Sequence, residues 1–201
     1  YSSALYPLTS ALQRLLTGWL PFSLGDLLYI LFGVWLLWQM VLLFRGKVEG
    51  GRWKVASSLM QGILCIYILF NALWGLNYNR QSPARLFGLA VSDSLTAPQL
   101  RETTILLANQ TNRYRPKDIV REARARELAT ALFQGEGFLA VKPASIKASI
   151  FGKLGNYMGY SGYYNPFSGE AQVNTAVPDF LIPFVACHET AHQAGFAKEN
   201  E

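Results

Sequence analysis

Two long stretches without a charged residue constrain this chain more than any other feature. Residues 27–44, LLYILFGVWLLWQMVLLF, hold 18 consecutive uncharged residues, and residues 55–79, VASSLMQGILCIYILFNALWGLNYN, hold 25. A helix needs about 20 largely apolar residues to cross a bilayer. The first run reaches that length once Leu24 and Gly25 are counted, which predicts spans over about 24–44 and 55–76. Trp35, Trp38, Trp53 and Trp74 fall near the ends of these runs, as interfacial aromatics do. The alternative is a pair of buried core helices.

Ahead of them, Leu5, Leu8, Leu12, Leu15, Leu16 and Trp19 recur at helical spacing, and Pro21 ends the pattern. This predicts an amphipathic helix lying at the membrane interface or packed on the spans. The loop between the spans, RGKVEGGRWK, carries Arg45, Lys47, Arg52 and Lys54. Basic residues favour the cytoplasmic side, so everything after residue 76 is expected outside the cytoplasm. The protein is therefore expected in the cell membrane as a multi-pass chain, with the lipid bilayer as a partner.

Charge distribution separates the two parts. The chain is 15% charged, against about 25% for a typical soluble domain. Residues 1–75 hold five basic and two acidic side chains, and the remainder holds 13 and 11, a soluble balance. The net +5 is too diffuse for a nucleic-acid-binding face. The expected division is a membrane region over 1–79 and a second domain over 80–201. Because the sequence starts at Tyr1 and stops at Glu201, just after its strongest motif, it reads as a fragment truncated at the C-terminus.

In the second part, Ser94 or Thr96 with Pro98 starts a helix running to about Tyr114. A further helix is expected over 117–133, and another short one within 145–160. SGYYNPFSGE is turn chemistry and AQVNTAV a strand. Pro178 and Pro183 bracket a bend, and a last helix begins near Phe184.

That last helix carries the only two histidines of the chain, His188 and His192, in the string HETAH. Residues four apart share a helix face with Cβ atoms about 5–6 Å apart. Both imidazoles can then reach one Zn²⁺ at about 2.0–2.1 Å. Glu189 projects beside that face, where its carboxylate can hold a metal-bound water and accept its proton. The flanking PFVAC and QAGF are apolar, which argues for a buried helix. A His–Glu–His face buried there is costly without a partner. The alternative is a pair of surface histidines.

A catalytic zinc site needs a third protein ligand. The metzincin pattern would put it at Lys198, and a protonated lysine cannot ligate. The terminal string ENE resembles the start of the helix that supplies the glutamate ligand in gluzincins. That resemblance implies Glu199 as metal ligand, with Glu201 second. Glu199 would lie about 10 Å along a continuous helix from His192, so the chain must turn at Gly195.

The stretches LPFSLGDLLYI, NALWGLNYNR, SGYYNPFSGEAQVNT and CHETAHQAGFAKENE resemble the bacterial membrane family catalogued as domain of unknown function 3810, over essentially the whole chain. The resemblance implies a zinc-dependent peptidase without a known substrate. It also implies a further hydrophobic span before this segment and a helical region after it.

Zincins align an extended substrate along a sheet edge beside the metal, and AQVNTAV is the expected edge; a plain hairpin strand is the alternative. Tyr157, Tyr160, Tyr163 and Tyr164 crowd the approach, where one phenol can steady an oxyanion or the rings can simply pack. Asn174 and Tyr164 are the expected substrate contacts. Cys187 reads as a buried small hydrophobe.

The fold class expected is an α-helical membrane anchor followed by an α+β zincin-like HExxH domain. The expected activity is peptide-bond hydrolysis of a peptide or protein substrate by zinc-bound water. A non-catalytic membrane protein with a structural or sensory zinc is the competing reading. Cleavage within the bilayer is disfavoured, because the motif stretch is short and close to charged KENE.

Overall fold

A computed structural model describes residues 1–45, 50–88, 94–113, 127–129, 131, 141 and 144–199. The expected helix over 117–133 and the second candidate ligand Glu201 lie largely or wholly outside these residues. Within that segment the described residues 127–129 and 131 are helical. The chain is mostly helical, with one small mixed sheet.

Helix α1 spans Leu5–Thr17, α2 Leu24–Arg45 and α3 Gly51–Leu73. Ser23 starts α2, its hydroxyl accepting from Asp26 N at 3.0 Å. At about 1.5 Å per residue, α2 is about 33 Å long, against a hydrocarbon core of about 30 Å. Both α2 and α3 are long and apolar enough to cross a membrane, and only 6% of each most apolar window is buried. A soluble core helix hides its apolar surface, whereas most of theirs is exposed. The two helices form an antiparallel hairpin in which a Cβ on Gly62 would sit 2.5 Å from the Trp35 ring. The start of α2 and the end of α3 therefore share one end of the hairpin.

After α3 come a 3-10 turn, Gly75–Asn79, and the single-turn α4, Pro83–Leu86. Helix α5, Ala97–Arg113, begins at Thr96, whose N–H and hydroxyl both reach Gln99 Oε1 at 2.9 Å. The expected short helix in 145–160 resolves into two elements: strand β1, Ile146–Ala148, and helix α6, Gly152–Met158. Strands β2, Gly162–Asn165, and β3, Glu170–Val173, form a hairpin. Its turn is held by Asn165 Oδ1, which accepts from Phe167 N and Ser168 N. A 3-10 turn, Asp179–Leu181, leads into α7, Ile182–Gln193, with Pro183 in its first turn.

The sheet order is β1-β3-β2, β1 parallel and β2 antiparallel to β3. The expected edge strand AQVNTAV is therefore the central strand, and the edge beside α7 belongs to β2. Strand alternation gives the sheet two chemically different faces. Val173 faces α7 and packs with Ile182, Val185 and Ala186. Glu170 and Gln172 face the start of α2. There the Glu170 carboxylate accepts from Gly25 N at 2.8 Å and pairs with Lys147 Nζ at 2.5 Å. Asp26 accepts from Ile150 N at 2.7 Å and from the Tyr163 hydroxyl. A Cβ on Gly25 would lie 2.6 Å from the Gln172 amide, so only glycine lets α2 seat on the sheet.

Helix α1 is amphipathic in reverse. Its polar face, Tyr6, Ser10, Arg14 and Thr17, is the buried one. Its apolar face points outward, with Leu8 72% and Leu16 65% exposed. The buried face grips the rest of the chain through Gln13 Nε2 to Pro166 O at 2.8 Å and Thr17 Oγ1 to Ser168 O at 2.9 Å.

Candidate metal centre

Helix α7 brings its two histidines together as the four-residue spacing requires, with ring centroids 4.7 Å apart. The helix ends at Gly195, where φ is +94°. A side chain at that left-handed position would be strained and would also meet Arg80 and Tyr6 within 3 Å. The reversal that follows brings Glu199 back over the helix. Its Oε2 lies 3.0 Å from His188 Nε2 and its Oε1 3.3 Å from His192 Nε2. One ligand atom from each of the three residues falls within 4.8 Å of the others.

The donor set fits a zinc ion. Three atoms each at about 2.0–2.2 Å from one tetrahedral ion lie about 3.3 Å from one another; the two Glu199–histidine separations, 3.0 and 3.3 Å to different oxygens, are of that size, and the full set closes within 4.8 Å. His192 Nδ1 donates to Phe196 O at 2.6 Å. A carbonyl can only accept, so the ring proton is on Nδ1 and the Nε2 lone pair faces Glu199. Burial is the largest influence on His192 and lowers its pKa, which favours the neutral ring that a ligand needs.

Glu189 stands beside this triad, 4% exposed, and its Oε2 has no hydrogen-bond partner among the described residues. Burial, with Glu199 adding repulsion, raises its pKa to about 8. An orphaned carboxylate oxygen inside a protein is costly unless something occupies the space it faces. Strand β2 makes room for it: a Cβ on Gly162 would sit 2.6 Å from Glu189 Oε1.

The centre lines a cleft of about 610 Å³ whose walls include Tyr160, Tyr164 and Phe184. Tyr164 is 8% exposed, with its hydroxyl 3.3 Å from that of Tyr6 and its ring 4.5 Å from Trp74. Tyr163 also lines the cleft, with its hydroxyl bonded to Asp26, and Tyr157 is exposed to solvent. Asn174 lies outside the cleft lining. It is fully buried, and its amide bonds Asn156 Oδ1 at 2.8 Å and caps Ala176 N at 2.8 Å. That internal commitment leaves it no free group for a substrate. Cys187 is half-buried with a pKa raised by burial.

Three residues that position the centre carry no motif. Tyr6 donates toward the carbonyls of His192 at 3.2 Å and Gln193 at 3.1 Å. Arg80 donates to Ala194 O and lies 4.1 Å over the Phe196 ring. Trp74 meets the His192 ring edge-on, centroids 5.9 Å apart. These contacts satisfy the carbonyls at the end of α7, which the helix itself leaves open. Tyr6, Trp74, Tyr164 and Ala197 form one buried cluster, so the packing crosses the expected boundary at residue 79/80.

A family model described as a protein of unknown function, DUF3810, matches residues 1–201, the full chain. The chain belongs to that family. No curated protein and no solved structure matches this DUF3810 chain.

Proposed function

We propose that this protein is a membrane-anchored zinc-dependent peptidase. The observation that carries the reading is the Glu199 carboxylate set between His188 Nε2 and His192 Nε2, with the buried Glu189 beside them. A purely structural zinc has no use for an uncoordinated carboxylate at its side.

His188, His192 and Glu199 would hold the ion. Zinc there would supply Lewis acidity toward a peptide carbonyl and water. Glu189 takes the proton from the attacking water and passes it to the departing amine, so no proton leaves the site. The phenols of Tyr160 and Tyr164 line the same cleft and contribute to binding. An extended substrate adds to the edge of β2 that no other strand pairs among the described residues, which runs past Glu189 at Gly162. Helices α2 and α3 cross the membrane, with the basic 45–54 loop in the cytoplasm and the metal centre outside.

The test is zinc content and peptide hydrolysis of the purified membrane protein, compared with Glu189→Gln. The expected result is about one zinc per chain in both proteins. Hydrolysis is expected to fall about 10²-fold or more in the variant. Wild-type protein that binds zinc and cleaves nothing would overturn the catalytic reading.

A further inference from the structure

The cleft over the metal centre has an unusual pair of walls. One is contributed by Tyr29, on the second turn of α2, and the other by Phe70, Trp74 and Tyr78, at and just beyond the end of α3. These are the matching ends of the antiparallel hairpin, so the apolar helices enter the metal centre from one side only. Phe184, 70% exposed on α7, adds a further aromatic ring at the mouth. The cleft therefore sits where the exposed apolar surface of α2 and α3 stops.

Helix α1 gives an independent mark of the same level. Its outward face of Leu5, Leu8, Leu12, Leu15 and Leu16 is at least half exposed at every position, while its polar face is buried against the β2–β3 turn and the end of α7. An apolar stripe turned outward on a helix that docks by its polar side belongs on a bilayer surface. Its last turn leads within seven residues into α2. Two observations, one from the hairpin ends and one from α1, thus put the metal centre at the height of the lipid headgroups.

We infer that the substrate is the membrane-proximal segment of another membrane-anchored polypeptide, cut within a few residues of where it leaves the bilayer. The inference rests on the peptidase reading above. Aromatic walls receive apolar side chains at the interface, where tyrosine and tryptophan are favoured. The free edge of β2 takes the backbone of the same segment. A soluble peptide has to find a cleft pressed against lipid, whereas a segment emerging beside α2 and α3 is delivered to it.

The experiment uses the zinc-loaded full chain in phosphatidylcholine–phosphatidylglycerol vesicles. One randomised peptide library is presented in three ways. It is fused directly after a single transmembrane helix, fused after the same helix through a flexible Gly/Ser spacer of about 30 residues with a reach of about 30 Å, or supplied free in solution. Cleavage is read by mass spectrometry, with Glu189→Gln as the blank. The directly fused library should be cut about tenfold faster than the spaced one, because both share the tether and only one is held at the cleft. Cut sites should be enriched in aromatic and aliphatic neighbours. Equal or faster cleavage of the spaced or free library overturns the substrate class and leaves hydrolysis standing. Cleavage of none of the three overturns hydrolysis itself.

Discussion

Gly162 on β2 and Glu189 on α7 touch so closely that a single methyl group at residue 162 would lie 2.6 Å from Glu189 Oε1 and 2.8 Å from Val185 Cγ1. The glycine sets how near the edge strand comes to the HETAH helix. Gly162→Ala should displace the Glu189 carboxylate while leaving the three proposed ligands in place. The expected outcome is zinc content near wild type with activity down about tenfold or more, approaching the loss for a removed base. Elemental analysis beside a peptidase assay reads both, and loss of zinc would show that the methyl instead distorts the ligands.

Coordination and chemistry separate at the two glutamates. Glu199→Ala removes the carboxylate that bridges the two Nε2 atoms and should abolish tight zinc binding. Glu201→Ala is expected to leave zinc in place. Competition with a fluorescent zinc chelator measures both. Metal loss in the Glu201 variant alone would leave a zinc site but reassign its third ligand.

The metal-free protein should show a pH dependence traceable to Glu189. Its folded pKa is raised to about 8, first by burial and then by Glu199, above an ordinary value of 4.5. A raised acid pKa gives stability that is fully present below the ordinary value and lost as pH climbs through the folded one. The apoprotein should therefore melt at lower temperature at about pH 9 than at about pH 7, and Glu189→Gln should flatten that difference. His192 acts in the opposite window, since its lowered pKa costs stability only as pH falls below about 6.5. An unchanged slope in Glu189→Gln would assign the effect to another group.

The grip of the N-terminal helix on the metal helix is open to direct measurement. Tyr6→Phe strips the donor that reaches the His192 and Gln193 carbonyls and should cost about 1–3 kcal/mol in stability. Trp74→Ala should cost about 3–5 kcal/mol, the range for deleting a large buried aromatic. Chemical unfolding in detergent micelles checks both. Zinc affinity should fall alongside stability, because each residue touches the His192 segment.

The proposed membrane orientation, with the basic loop in the cytoplasm, is tested by labelling. With Cys65 and Cys187 replaced by serine, a cysteine at exposed Asp179 should react with an impermeant maleimide in intact cells. One at exposed Arg52 should react only after permeabilisation. The reverse pattern inverts the topology.

The grouping of His188, His192 and Glu199 was easier to foresee in the sequence than the residues that support it. Two histidines four apart, a glycine that must turn the chain, and a glutamate beyond it are local relations, and the coordinates place His188, His192 and Glu199 together. The apolar runs likewise announced α2 and α3. The strand order was hidden, because β1 is three residues long and carries no readable alternation. Without β1, AQVNTAV looked like an edge. Asn174 looked available for the same reason, although its side chain is spent on the α6 turn. Tyr6 and Trp74 sit 186 and 118 positions from His192 in a helix and a span end whose patterns speak only of lipid. Nothing in local periodicity reports a contact at such separation.

The dovetailing of Tyr6 and Trp74 with Tyr164 and Ala197 bears on how such a protein can be inherited. A peptidase whose anchor is a mere tether can exchange that anchor through gene fusion and stay active. Here Tyr6 of α1 and Trp74 beyond α3 pack with Tyr164 and Ala197 in one buried cluster, so a recombination crossover near residue 80 would divide that cluster. Lineages carrying this chain should therefore transmit the segments on either side of residue 80 as an unbroken cassette.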